Sequence, residues 1–184
     1  MTTKNTYTET HSTSDSTPHI VCWNKIYRED FIRLNREWIE RYFRLEPCDL
    51  KVLGNPESEI IDKGGEIFFA LIEGKVVGCC ALIHHPETQQ YELAKMAVSP
   101  SAQGKGIGFR LGKALLAYAQ AHEIKHLFLE ANTQLKASVH LYHKLGFYPV
   151  EVEADKPAYD RCDLFMMYDQ ENIPPKSVSS RHNP

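Results

Sequence analysis

The sequence predicts a single domain of the mixed α/β (α+β) class. Its 184 residues fit one domain. Strand-like segments joined by a hairpin turn fill the first half, whereas helices and strands alternate in the second half. Because the first half is rich in hairpin signals, it argues against a doubly wound parallel sheet, which would alternate strand and helix from its start.

The first third of the chain is expected to hold one strand and two helices. A short apolar run predicts a strand at 20–26. Apolar residues at three- and four-residue steps predict a helix at 30–45. A short second helix is expected at 56–62, and Gly64-Gly65 should end it. The predicted apolar stripe of the long helix consists of Phe31, Leu34, Trp38, Tyr42 and Leu45.

Three strands follow, and they are expected to run antiparallel. Apolar segments at 66–72 and 75–83 are joined by Glu73-Gly74, which is a hairpin signal. A further strand is expected at 91–98. It should end before Pro100, since proline removes a backbone donor and restricts the residue before it.

The second half predicts helix, strand, helix and two closing strands. An apolar face indicates a helix at 106–122, and alternating leucines indicate a strand at 125–131. The helix expected at 134–145 should end at Gly146, because glycine suits the left-handed position after a helix. Two closing strands are expected at 147–152 and 163–168.

Both ends of the chain are polar and predict disordered tails at 1–18 and 172–184, so the folded domain is expected at 19–171. The N-terminal segment lacks the apolar core of a signal peptide, and no stretch approaches the roughly 20 apolar residues of a membrane span. Cytoplasm is therefore the expected location. The net charge of -3 gives no electrostatic reason to expect a nucleic-acid or membrane partner.

The cysteines and paired histidines do not predict a disulfide or a metal site. No CxxC pair occurs, and Cys79 and Cys80 should point to opposite faces of a strand. We interpret the five cysteines as reduced, mostly buried thiols, without a local signature of a catalytic one. His84 and His85 should also face oppositely, and no third ligand has suitable spacing, so no metal is expected.

A glycine-rich loop at 98–108 is the most informative stretch. A strand ends there, and three glycines at alternate positions lead into a helix. Glycines allow backbone N–H groups to come close to a bound group, and the helix N-terminus adds unpaired donors and partial positive charge. The loop is therefore suited to a phosphate. The simpler alternative is a flexible loop that only begins a helix.

Two other phosphate motifs fit this loop poorly. A P-loop requires Ser or Thr after Gly-Lys, but Gly112-Lys113 is followed by Ala114 within the predicted helix. A Rossmann fingerprint requires a third glycine where Phe109 stands.

Three blocks in the same order resemble the Gcn5-related N-acetyltransferase (GNAT) family. Gln103 to Gly108 matches its Gln/Arg-x-x-Gly-x-Gly/Ala signature, the strand at 92–98 ends in Ala-Val, and 141–147 resembles its Tyr-x-Lys-Leu-Gly-Phe segment. The resemblance spans 66–168. It implies a mixed, mostly antiparallel sheet of six to seven strands flanked by helices and splayed at strands 4 and 5, with a bulge in the fourth strand.

The resemblance also implies acetyl-CoA as the cosubstrate. The pantetheine arm would lie in the splay and pair with backbone groups of Met96, Ala97 and Val98. Many members have an Asn where Leu135 stands here, so Asn132 is expected to supply a CoA contact instead. The loop residues expected to cradle the pyrophosphate are Gln103, Gly104, Lys105, Gly106, Ile107 and Gly108.

Transfer of an acetyl group to an amine needs the neutral amine, so a general base is expected. Glu92 matches the catalytic glutamate of the histone-acetylating branch, and an exposed strand carboxylate is its simpler interpretation. Simple strand alternation would place it on one face with Ala94, Met96 and Val98.

Further residues are assigned by the same resemblance. Glu130 matches the base of bacterial ribosomal-protein N-terminal acetyltransferases, or it forms an ordinary ion pair. Tyr142 matches the proton donor to the departing CoA thiolate, with a core aromatic as the alternative. Tyr159, Arg161 and Asp163 lie where related enzymes often shape the acceptor pocket.

The implied activity is transfer of acetyl from acetyl-CoA to a primary amine, on a small molecule or a peptide, by direct attack in a ternary complex. Members of the family often dimerise, so a homodimer is compatible with the sequence. One alternative is a non-catalytic acyl-CoA-binding or regulatory domain. Another is a nicotinamide-dependent oxidoreductase, which the strand order and the missing third glycine disfavour.

Overall fold

A computed structural model describes residues 17–151 and 159–170. Within them the strands are β1 (His19–Val21), β2 (Glu66–Ile72), β3 (Lys75–His85), β4 (Gln90–Val98), β5 (His126–Ala131), β6 (Tyr148–Val150) and β7 (Leu164–Asp169). The helices are α1 (Arg28–Tyr42), α2 (Pro47–Gly54), α3 (Ile107–Ala121) and α4 (Lys136–Leu145). The predicted tails lie outside the described residues, apart from 17 and 18 of the first and none of the second.

The seven strands form one mixed sheet in the order β1-β2-β3-β4-β5-β7-β6. Every neighbouring pair is antiparallel except β4 and β5, which run parallel. The hairpin between β2 and β3 turns at Glu73 and Gly74, which both have positive φ. The predicted mixed and mostly antiparallel sheet is therefore confirmed. No helix in the described ranges is long and apolar enough to cross a membrane.

The sheet opens between β4 and β5. These strands pair only at Tyr91 with Leu127 and at Glu92 with Phe128, and they separate beyond that point. By contrast, β5 pairs with β7 over its whole length, from His126 to Ala131. The separation leaves backbone groups of β4 facing a gap, as the resemblance to the family implies.

A bulge in β4 lies beside this gap. Cys79 of β3 stands opposite Ala97, whereas Ala81 stands opposite Ala94, so a step of two residues on β3 matches three on β4. Lys95, inside the bulge, has a φ of 51°, which is uncommon for a residue with a side chain. Such strain costs on the order of 1–3 kcal/mol and is typical of functional sites.

The bulge also changes which face each side chain of β4 occupies. Ala94 packs with the core beneath α1, whereas Met96 and Val98 pack with the core beneath α3. Glu92 and Ala94 lie before the bulge and share a face, as simple alternation predicts, whereas Met96 and Val98 lie on the other face because the extra residue shifts the alternation by one place.

Each face of the sheet carries its own core. The α3 side includes Leu111, Leu115 and Cys80, and the α1 side includes Phe31 and Cys79. The two adjacent cysteines do point to opposite faces, as expected. The five cysteines are not mostly buried, however, because Cys22 and Cys48 are exposed and Cys162 is half-buried.

The largest departure from the predicted elements follows α1. The helix ends at Tyr42 rather than at residue 45, and α2 was not predicted. Pro47 occupies the first turn of α2, and Glu46 and Asp49 form a capping box there. These residues start a new helix, so the preceding one must stop. Tyr42 is consequently exposed, and Asn35 and Ile39 join the buried face.

Two smaller departures lie in the same region. The first strand stops at Val21, because Asn24 caps a 3₁₀ turn at Lys25–Tyr27. The short helix expected at 56–62 is a π-helical turn, Glu57–Ile61. The remaining strands and helices match their predicted positions within two residues at either end, as far as they are described.

Candidate active site

Two connected pockets occupy the gap between β4 and β5. We call the one beside the glycine loop and α4 the outer groove, and the one beneath α1 the inner pocket. They share a junction formed by Trp38, Met96, Leu135, Ser138 and Tyr142. A single path therefore leads from the glycine loop, past the end of α4, to the carboxylates of β4 and β5.

The glycine loop forms one wall of the outer groove. Gly104 and Gly106 have φ values of 75° and 74°, which favour glycine. Gly106 is the N-cap of α3, and no side chain caps the first amides of that helix. A Cβ placed on either glycine would meet no heavy atom within 4 Å, so open space lies beside the backbone.

Most residues expected at the cofactor site line the outer groove. They are Met96, Val98, Gln103, Gly104, Gly106, Ile107 and Gly108. Three others do not line it. Ala97 is buried and paired to β3, Lys105 is exposed outside the lining, and Asn132 lies at the inner pocket. The side-chain amide of Asn132 donates to Arg161 O, and its side-chain oxygen accepts from the backbone amide of Gln134. The Asn132 side chain therefore links the backbone at Gln134 to the backbone at Arg161.

Tyr142 stands at the junction of the two pockets. It projects from α4 and its ring packs edge-on against Phe147 at 6.4 Å between centroids. No residue in the described ranges forms a hydrogen bond with its hydroxyl group, and no buried polar side-chain atom there lacks a partner, so the hydroxyl reaches accessible space. Burial of the ring raises the pKa of Tyr142 well above its usual value, so the phenol stays protonated.

Glu92 lies on the wall of the inner pocket and is only 6% exposed. Its carboxylate accepts a hydrogen bond from His85 Nε2 at 3.0 Å. That hydrogen bond, followed by the charge of Glu92, raises the pKa of His85 against the opposing effect of burial. Glu92 is thus an oriented carboxylate next to a titratable imidazole rather than an exposed strand residue.

Glu130 and Cys162 line the same pocket from the β5 side. Glu130 is half-buried and lies near enough to His85 to contribute to its raised pKa. Burial raises the pKa of Cys162 to about 12, so it is a protonated thiol and a poor nucleophile. Thus the structure brings Glu92, Glu130 and Tyr142 around one pocket, although they are far apart in sequence.

The far wall of the inner pocket carries a buried ionic network. Lys95 Nζ donates to Asp49 Oδ1 at 2.7 Å and to the Tyr159 hydroxyl at 2.8 Å. Arg161 donates from Nη1 to Asp49 Oδ2 at 2.7 Å and from Nη2 to Asp49 Oδ1 at 2.9 Å. It also donates from Nη1 to Glu46 Oε1 at 2.8 Å.

Asp49 is the centre of this network and is fully buried. Burial alone would raise its pKa, but the hydrogen bond from Arg161 and the charge of Lys95 outweigh burial and lower it. Asp49 therefore stays ionised. A buried network of this kind seldom adds stability over an apolar core, which suggests that it is retained for positioning.

Only part of this network was predicted from the sequence. Tyr159 and Arg161 were expected near an acceptor pocket, and both line it, whereas Asp163 does not and instead binds Thr133. Lys95 and Asp49 were not singled out. The available signal was a lysine with the apolar neighbours Ala94 and Met96 in the middle of a strand, because a buried lysine needs a partner.

Neither histidine of the pair belongs to a metal cluster. His84 forms a hydrogen bond with Lys63 O at 2.8 Å and stacks on Tyr91, while His85 holds Glu92. In residues 17–151 and 159–170, no group of three or more His, Cys, Asp or Glu side chains is arranged for a metal ion.

Several solved structures with the same architecture are acetyltransferases. One from Staphylococcus aureus Mu50 superimposes with a TM-score of 0.73 at 19% identity, covering 83% of this chain and 99% of that one. A putative acetyltransferase from Salmonella typhimurium, solved with its cofactor acetyl-CoA, gives a TM-score of 0.66 at 20% identity, covering 84% and 94%. At these identities the match establishes the fold, and that fold is the one of the acetyltransferases.

The chain belongs to the acetyltransferase (GNAT) family, whose model matches residues 22–147. Among curated relatives, the N-acetylaspartate synthetase of Rattus norvegicus is 36% identical over 85 residues. That alignment covers 46% of this chain and 28% of the relative, so the chain matches only about a quarter of that protein's length.

Proposed function

We propose that this chain is an acetyl-CoA-dependent N-acetyltransferase that transfers the acetyl group directly to a primary amine. The observation that carries the proposal is the junction at Tyr142, where the outer groove meets the inner pocket. A thioester in the groove and an amine in the pocket would meet there, beside a protonated phenol and two carboxylates. The two cosubstrates would therefore be bound together before reaction.

The outer groove fits the coenzyme. The diphosphate would occupy the open space beside Gly104 and Gly106, where the amides at the start of α3 supply donors and partial positive charge. The pantetheine arm would follow the unpaired edge of β4 near Met96 and Val98. Bound there, acetyl-CoA supplies the activated acetyl group.

The inner pocket supplies the proton chemistry. The new C–N bond forms as the C–S bond breaks, and the amine loses one proton while the thiol gains one. Glu92, held by His85, is proposed to take the amine proton through a water molecule, with Glu130 as the second candidate. Because Tyr142 remains protonated, it would donate a hydrogen bond to the leaving sulfur as negative charge develops.

The acceptor is proposed to be an amine on a small molecule or a peptide. The matched relative, N-acetylaspartate synthetase, takes its name from an N-acetylated amino acid. Because the alignment spans a minor part of that protein, it supports an amino-acid-like acceptor without identifying one. The inner pocket sets the more specific constraint.

Ligand-induced thermal stabilisation of the full chain tests the cosubstrate. At 100 times Kd, a ligand should stabilise the protein by about 2.7 kcal/mol. We expect stabilisation by acetyl-CoA and none by NAD. The Gly106→Asp variant should lose the acetyl-CoA shift, since it places a carboxylate in the diphosphate space.

Gly74→Asp is the matched control for that variant. Gly74 has a φ of 75° and a Cβ there also meets nothing within 4 Å, but it lies in the hairpin turn between β2 and β3. Any strain from the left-handed conformation is therefore similar, while the outer groove is untouched. Equal loss of acetyl-CoA binding in both variants, or binding retained in Gly106→Asp, would contradict the assigned diphosphate position.

A further inference from the structure

Arg161 lines the inner pocket, and its guanidinium is held by hydrogen bonds that leave some of its donors unused. Arginine carries five N–H donors in a rigid planar arrangement. Three of them are used, by two hydrogen bonds to Asp49 and one to Glu46. The hydrogen on Nε and the outer hydrogen on Nη2 have no acceptor in the described parts of the chain.

These two unused donors lie on one edge of the guanidinium, side by side and parallel. That edge is the geometry that binds a carboxylate through two hydrogen bonds. No buried side-chain nitrogen or oxygen in the described ranges lacks a partner, so Nε, which has none, must touch accessible space. Arg161 is itself a lining residue of the inner pocket. At least the Nε end of this edge is therefore accessible, at a residue that lines the inner pocket.

The surroundings of Arg161 hold this edge in place. The rings of Tyr159 and Phe43 lie 4.3 and 5.9 Å from its central carbon. Asp49 binds the adjacent Nη1–Nη2 edge with both oxygens and is anchored in turn by Lys95. Asp49 and Glu46 neutralise the cations but do not line the pocket. Their hydrogen bonds to Arg161 leave the Nε–Nη2 edge unused.

The charges that do line the inner pocket are divided between two walls. Lys95 and Arg161 stand with Tyr159 at the network, whereas Glu92 and Glu130 stand on β4 and β5 beside the His85 ring. A ligand with a carboxylate and an amine a short distance apart would complement both. A peptide N-terminus has an amide where such a ligand has a carboxylate.

We propose that the acceptor is a free amino acid, whose carboxylate is bound by the Nε–Nη2 edge of Arg161 while its amine faces Glu92 and Glu130. This inference rests on the proposed N-acetyltransferase function and specifies its acceptor. Arg161 is a binding residue in this scheme, and Lys95, Asp49 and Tyr159 position it. The amine then lies on the side of the pocket that opens toward Tyr142.

The test compares acceptors that differ only at the carboxylate. With saturating acetyl-CoA and the full chain, thiol release is measured for each common amino acid, its carboxamide and the corresponding amine without a carboxylate. Two charge-assisted hydrogen bonds should make kcat/KM about 10- to 100-fold higher for the best amino acid than for its carboxamide. The carboxamide has the lower amine pKa, so intrinsic reactivity would favour it instead.

The Arg161→Lys variant assigns the preference to the arginine edge. Lysine keeps a positive charge near Asp49 but has no paired donors. We expect kcat/KM for the amino acid to fall about 10- to 100-fold, and that for the carboxamide to change by less than about threefold. Arg36→Lys, on the exposed face of α1 beside Glu40, is the control and should leave both unchanged.

The outcomes separate this inference from the function on which it rests. Equal rates for the amino acids and their carboxamides in the unmodified protein would overturn the inference while leaving N-acetyltransferase activity intact. A carboxylate preference that persists in Arg161→Lys would overturn the assignment to Arg161. A uniform loss on all acceptors in that variant would indicate a structural role only. Absence of acetyl-CoA binding, or of turnover with every amine, would refute the proposed function itself.

Discussion

Replacing Gly112 by alanine should reveal how closely α3 and α4 are packed behind the outer groove. Gly112 lies in the middle of α3, and a Cβ there would stand 2.9 Å from Leu145 Cδ2 and 3.2 Å from Leu145 Cγ, with Leu145 Cδ1 closer still. Leu145 is buried in α4, three residues beyond Tyr142. The added methyl group must therefore displace Leu145 or move the helices apart.

The magnitude follows from two opposed effects. Alanine is better than glycine inside a helix by about 1 kcal/mol. Overpacking a well-filled core costs about 1–3 kcal/mol. We expect Gly112→Ala to lower the free energy of unfolding by about 0–2 kcal/mol, which corresponds to a fall in Tm of up to about 8 °C. Acetyl-CoA affinity should fall as well, because α4 borders the groove.

Without the Leu145 side chain, Gly112→Ala should raise the free energy of unfolding instead of lowering it. Leu145→Ala alone should cost about 2–5 kcal/mol, but in that background Gly112→Ala should be stabilising by about 1 kcal/mol. Urea denaturation of the four proteins in this double-mutant cycle measures the coupling. Gly54→Ala is the control, since a Cβ at that helix end meets nothing within 4 Å. If Gly112→Ala stabilises the unmodified protein as Gly54→Ala does, the close approach of the two helices is refuted.

Four further predictions concern the inner pocket and its junction. Tyr142→Phe should lower kcat about 10²-fold or more with little change in acetyl-CoA affinity, and unaltered turnover in stopped-flow thiol detection would exclude Tyr142 as the donor. Glu92→Gln should reduce kcat/KM more than Glu130→Gln does, and the reverse order would transfer the base to β5. His85→Gln should be less stable than the unmodified protein below about pH 6.5, the usual pKa of histidine. The raised pKa of His85 means that its pairing with Glu92 stabilises the fold at low pH, and this stabilisation is lost as the pH rises through that pKa. Equal losses of stability at pH 5 and pH 9 would contradict this pairing. Asp49→Asn should cost about 3–5 kcal/mol in urea unfolding, because it leaves buried cations without their carboxylate, and a loss under about 1 kcal/mol would show that the network is not rigidly held.

The sequence predicted most of the sheet because its strands carry strong local signals. The β2–β3 hairpin has an apolar run on each side of Glu73-Gly74, and a glycine at residue 146 ends α4 in the left-handed conformation. Local patterns could not predict the order of β5, β7 and β6, or the gap beside β4. Those features depend on long-range pairing, and here the family resemblance supplied the splay that periodicity alone does not contain.

The candidate site was predictable where a motif encodes it and less so where tertiary contacts create it. The glycine loop was identified from its spacing, and Tyr142 from the resemblance of 141–147 to a segment of the family. The pairing of His85 with Glu92 arises because β3 and β4 are antiparallel neighbours, which no local pattern reveals. The network of Lys95, Asp49 and Arg161 joins segments that are 46 and 112 residues apart, so only the folded chain assembles it.

The insertion of β7 between β5 and β6 has a consequence for folding. Before β7 arrives, β5 is joined to the rest of the sheet by only two residue pairs with β4, whereas β7 later adds six. A chain still being synthesised would therefore carry a row of unsatisfied amides and carbonyls on β5 until residues 164–169 emerge. Closure of the sheet is then a late event in folding, and truncation before β7 should yield a species prone to associate through this strand.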